Sequence, residues 1–68
     1  MISELDAMTV TAKQLPDKGI TFREYITRAG KLCGSTDEEI EAVLILAEAD
    51  GIMADDIVKI GPNGTKIN

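Results

Sequence analysis

TDEEIEAVLILAEADGI, residues 36–52, carries a helix with a legible start and a legible stop. Ser35 and Thr36 can each cap the first turn through a side-chain oxygen, with Glu38 or Glu39 returning the bond in a capping box. Asp37, Glu38 and Glu39 stand in that turn, where carboxylates suit the positive end of the helix dipole. Ile40, Leu44 and Ala47 recur at steps of four and three and form the inward stripe. Gly51 is the stop. The expected helix spans about 36–50. Turning the stripe inward turns Asp37, Glu38, Glu41, Ala42, Ile45 and Glu48 outward. The stretch holds six acidic residues and no basic one, and its middle, Ala42 to Ala47, is apolar on every side.

Working towards the N-terminus, GITFREYITRAGKLCG (19–34) reads as a short extended residue at Ile20 followed by a helix over about 21–33. Thr21 with Glu24 fits a capping box. Phe22, Tyr25, Ile26, Ala29 and Leu32 form its expected buried face. Gly30 weakens that helix by roughly 1 kcal/mol relative to alanine. A glycine there also marks the close approach of another backbone. Before it, PDKG (16–19) reads as a turn. Ile2, Leu5, Met8, Ala12 and Leu15 keep a helical period and predict a first helix over about 2–15, with Ser3 or Asp6 as cap. The competing reading is a strand at MTVTA (8–12), since Thr9, Val10 and Thr11 favour β structure. The longer period favours the helix.

Beyond the helix that opened this reading come IM, ADD, IVKI, GPNG and TKIN. The short runs around Pro62, Asn63 and Gly64 predict a β-hairpin over about 57–67. The expected fold is mainly α with a small β-hairpin: three helices and a C-terminal wing in one domain, residues 1–68.

This order resembles the winged helix-turn-helix family. The third helix carries the family's spacing: aliphatic residues at Ile40, Leu44 and Ala47, then Gly51, with Ile52 opening the first wing strand. The second helix is long for the family and its small residues sit late. The resemblance implies that the third helix is a recognition element, which in DNA-binding relatives enters the major groove. It speaks for the fold more than for the function, because this scaffold hosts many roles.

The chemistry of the chain narrows those roles. With 68 residues it is one domain at most, and such a chain buries only about 60% of its unfolded surface. One cysteine and no histidine exclude a disulfide framework and the usual zinc sites. Cys33 falls on the apolar side of its helix and reads as a core residue. No histidine is present to serve as a base, so no enzyme, cofactor or small-molecule substrate is expected. In EADGIMADD (48–56), a calcium loop with Gly51 at its sixth position would put Leu46 and Ile57 at the first and twelfth, and neither can ligate calcium. GPNGTK (61–66) lacks the spacing of a phosphate loop. No run resembles a secretory leader or a membrane span, and the lone thiol fits a reducing compartment, so a cytoplasmic protein is expected.

Twelve acidic residues against seven basic ones leave a net charge of -5, which disfavours unspecific attraction to nucleic acid. The outward residues of the third helix include four carboxylates and no phosphate donor, facing what would be a polyanion. Val43 and Leu46 flank Ile45, and so small a domain cannot cover them all unless the hairpin or the first helix lies over them. The expected function is therefore protein–protein contact, with another protein or in a homodimer, through Asp37, Glu38, Glu41, Ala42, Ile45 and Glu48. An adaptor, subunit or inhibitor, as in a phage or plasmid accessory protein, suits a short acidic chain. The alternative is a small transcriptional regulator touching DNA through Arg23, Arg28 and Lys31 of the second helix and Lys59 and Lys66 of the wing.

Overall fold

The computed structural model describes residues 2–61 and 64–67. In chain order the elements are α1 (Glu4–Lys13), β1 (Ile20–Thr21), α2 (Phe22–Cys33), α3 (Asp37–Ala49), β2 (Ile57–Gly61) and β3 (Gly64–Ile67). The protein is mainly helical, with a small antiparallel sheet in the order β1-β2-β3. The expected three helices and C-terminal hairpin are present. Of the residues expected in the hairpin turn, Pro62 and Asn63 lie outside the described ones.

Helix α2 is the spine, and α1 and α3 each pack mainly against it. Phe22, Tyr25 and Ile26 of α2 meet Ile40 and Leu44 of α3 and Val58 of β2 in one core. Ala12, Leu15, Ile20, Ala47 and Ile52 pack around that cluster. Val58 is wholly buried because β2 is the central strand: Ile20 pairs with it on one side and Ile67 on the other. The turn after α3 ties the sheet to α2. The carbonyls of Asp56 and Ala54 accept from the N–H groups of Phe22 and Arg23, which no helical turn satisfies.

Each helix starts on a side-chain cap. Ser3 accepts from the N–H of Asp6, so α1 begins at Glu4 and Ile2 falls before it. Thr21 accepts from the N–H of Glu24, but the reciprocal half of the expected capping box is missing. The Glu24 carboxylate instead accepts from Arg28 one turn on, at 2.8 Å. At α3 the box is complete and is formed by Thr36 and Glu39. Gly51, at φ +91°, takes the left-handed conformation that ends α3. The N–H groups of Gly51 and Ile52 turn back to the carbonyls of Glu48 and Ala47. Ile52 is thereby spent on the helix stop and the core, and the wing strand opens at Ile57, five residues later than the family spacing implied.

Four further expectations need correction. Residues 8–12 are helical, but α1 is shorter than 2–15 and is rotated: Ala7 and Thr11 face the core, while Leu5 is 75% exposed and Met8 is also exposed. Small side chains let α1 lie close on α2, and the Tyr25 hydroxyl reaches its backbone, donating to the Met8 carbonyl at 3.1 Å. The Thr11 hydroxyl, buried with them, donates to the Ala7 carbonyl at 2.7 Å. On α2, Leu32 is exposed and Gly30 takes the buried place in its last turn. The close approach at Gly30 is real, but the neighbour is the Ile40 side chain and not a backbone. Cys33 is only half-buried.

Candidate protein-contact site

The capping box and the stripe of Ile40 and Leu44 set the rotation of α3, with Ala47 partly buried behind them. Asp37, Glu38, Glu41, Ala42, Ile45 and Glu48 are all exposed, on the side away from α2 or along its margins. Ile45 is 65% exposed. No described residue of the hairpin or of α1 covers it. Two residues outside the expected set belong with it: Leu46 is 68% exposed and Val43 44%. At about 100° per residue, Val43, Leu46, Ala42 and Ile45 form a continuous apolar band round the outer half of the helix. Carboxylates stand at both its ends, Asp37, Glu38 and Glu39 before it and Glu48 and Asp50 after it. The all-round apolar run from Ala42 to Ala47 was the sequence signal for this band. Periodicity alone does not say which flank of a stripe a neighbouring element covers.

The acidic residues do different work along the helix. Lys31 donates to Asp37 at 2.7 Å, and this bond holds the Asp37 carboxyl below its ordinary range. The Thr36 N–H, and secondarily its hydroxyl, hold the Glu39 carboxyl below its ordinary range. Arg23 donates to Glu41 at 2.6 Å and stitches the start of α2 to α3. Each pair is exposed and screened by solvent, so neither is a large part of the fold's stability. Among the described residues Glu38 and Glu48 have no ion-pair partner.

The same bonds occupy the cations of the alternative DNA site. Arg23, Arg28 and Lys31 pair with Glu41, Glu24 and Asp37. Lys59 and Lys66 face one another across β2 and β3, side by side on one face of the hairpin. The structure brings these two together across the hairpin, while each α2 cation lies beside a carboxylate.

A groove of about 320 Å³ runs beside the apolar band, between α1 and α3. Its floor is Ile26, Ala29, Gly30 and Ile40, and its walls include Met8 and Glu4 of α1 and Val43 and Glu39 of α3. Cys33 lines one end, its sulfur 3.3 Å from the Ser35 hydroxyl. A second, more open groove lies between α1 and the hairpin, lined by Met8, Thr9, Ala12, Lys13, Tyr25 and Ile60. Among the described residues no three His, Cys, Asp or Glu side chains are placed to hold a metal ion, and no helix is long and apolar enough to cross a membrane. The segment 48–56 forms the helix stop and a turn, in which Asp56 accepts from the N–H of Met53 at 2.9 Å. Compared with protein-family models, curated proteins and solved structures, the chain matches none.

Proposed function

We propose that this protein is a non-enzymatic interaction module, winged-helix-like in layout, that binds a protein partner through the outer face of α3. One observation carries the reading: Val43, Ile45 and Leu46 are exposed together on one helix whose opposite side is in the core. Single exposed aliphatic residues are ordinary, but a joined set with acids at its ends has the apolar centre and charged rim of a protein interface. Adaptor, subunit or inhibitor of a larger phage or plasmid machine are roles for such a module. Its place of action in this reading is the cytoplasm, where the unpaired Cys33 stays reduced.

Ile45→Lys tests it. On a solvated helix surface the lysine leaves the melting temperature within a few degrees of the parent. In a contact it buries an unpaired ammonium and abolishes binding of the captured partner or self-association. An Ile45→Lys chain that fails to fold places the residue in the core. One that folds and retains every partner moves the contact off this face.

A single observation favours DNA as a second reading, the juxtaposed Lys59 and Lys66, since like charges directly opposite on a sheet repel and a phosphate between them relieves it. Against it stand the acidic α3 and the paired cations of α2. The module reading expects no binding of random duplex DNA at physiological salt. A low-micromolar mobility shift that weakens steeply with salt favours the regulator instead.

A further inference from the structure

We infer that the groove between α1 and α3 receives an amphipathic helix with a basic polar face, resting on the reading of α3 as the contact helix. Buried Ile26, Ala29, Gly30 and Ile40 form the floor, and half-exposed Met8 and Val43 form the lips. Val43 is shared with the band of Leu46 and Ile45, so groove and band make one surface. A groove of about 320 Å³ takes the one or two apolar side chains that a helix presents at neighbouring turns.

The charge of the occupant follows from the rim. Among the described residues, Glu4 on the α1 wall and Glu39 on the α3 wall are the ionisable side chains that flank the groove, besides Cys33 at its end, and no lysine or arginine lines it. Glu38, beside Glu39, and Glu48, at the far end of the band, have no ion-pair partner among the described residues. A ligand with lysine or arginine on either side of its apolar ridge meets carboxylates on both walls. A second copy of this chain meets acid with acid: two α3 helices laid antiparallel set Asp37 and Glu38 of one against Glu48 and Asp50 of the other. A helix fits better than a strand, because both walls are helices and offer no free backbone edge for pairing.

Cys33 reports occupancy from inside the groove. The test uses the full chain and two synthetic helical peptides with leucine at i, i+3 and i+7, one with lysine at the remaining positions and one with glutamate. Fluorescence anisotropy measures binding, and the rate of Cys33 alkylation by iodoacetamide measures cover. The expected result is micromolar binding of the lysine peptide, at least tenfold weaker binding of the glutamate peptide, and at least fivefold slower alkylation when the lysine peptide saturates. Val43→Lys, on an exposed position, and Glu4→Lys each weaken the lysine peptide at least fivefold without lowering the melting temperature by more than a few degrees. Binding that Ile45→Lys abolishes while Cys33 stays fully reactive keeps α3 as the contact and overturns the groove. Equal binding of both peptides, or binding of neither, overturns the basic helix as occupant. Concentration-dependent protection of Cys33 without peptide, with a dimer in sedimentation, puts a second copy there and overturns it too.

Discussion

Replacing Gly30 by alanine sets two effects of opposite sign against each other. Glycine inside a helix costs about 1 kcal/mol relative to alanine, so on propensity alone Gly30→Ala stabilises. The structure opposes this. A Cβ built on Gly30 stands 2.7 Å from Ile40 Cγ1 and 2.9 Å from its Cδ1, against about 3.5–4.0 Å for comfortable carbon contact. Ile40 cannot swing away freely, because it is buried in the core with Ile26 and Leu44. Nor can α3 retreat as a whole: the N–H of Ser35 bonds the Gly30 carbonyl at 2.8 Å and holds the turn between the helices. Overpacking of this kind costs about 1–3 kcal/mol. The net expectation is a loss of about 1 kcal/mol, within roughly 0–2, and a fall in melting temperature of about 4–8 °C. Stability for a chain of this size is about 3–10 kcal/mol, so the variant still folds and can be measured. Thermal and urea unfolding followed by circular dichroism supply the numbers. A second variant isolates the cause. Ile40→Val removes Cδ1 but keeps Cγ1, so in that background one of the two close contacts is gone and Gly30→Ala costs measurably less than in the parent. If Gly30→Ala alone raises the melting temperature, or if its effect is the same in both backgrounds, the packing of α2 on α3 through Ile40 is not as argued.

Leu44→Ala removes a buried side chain at the centre of the α3 stripe and is expected to cost about 2–5 kcal/mol, most of the stability of so small a domain; a melting point within a few degrees of the parent contradicts the rotation of α3. Acid titration of stability tests the helix start. Asp37 and Glu39 are both held below their ordinary carboxylate range in the fold, by the Lys31 bond and by the Thr36 bonds, so the stability they contribute is present above the ordinary range and is lost as pH falls through the lowered values. Glu39→Gln keeps an acceptor for the Thr36 N–H but does not titrate, and its unfolding midpoint is expected to fall less steeply with acid than the parent's; identical acid slopes remove Glu39 from the account.

The elements of this fold were legible because their signals are local. Thr36 and Glu39 meet within one helical turn, Gly51 supplies its own left-handed conformation, and Pro16 and Gly19 bracket a turn without help from the rest of the chain. The misreadings at α1 and α2 share one cause. Period alone places Leu5, Met8 and Leu32 inward with their neighbours, yet a domain of this size has too little interior to cover every large side chain. Which ones stay outside is settled by how closely the helices approach, and Ala7, Thr11 and Gly30 win the buried places because they are small.

The candidate site divides in the same way. The sequence by itself determined that α3 carries acids at its ends and an apolar middle, and that Ile45 turns away from Ile40 and Leu44, because a helix repeats every 3.6 residues whatever surrounds it. Only the tertiary structure decided that Leu46 and Val43 join Ile45 in the open, that Glu41 and Asp37 are tied to Arg23 and Lys31, and that α1 stands off from α3 far enough to leave a groove beside Val43. Those outcomes depend on where α1 and α2 come to rest. That position follows from summed packing between residues far apart in the chain, which no local pattern encodes.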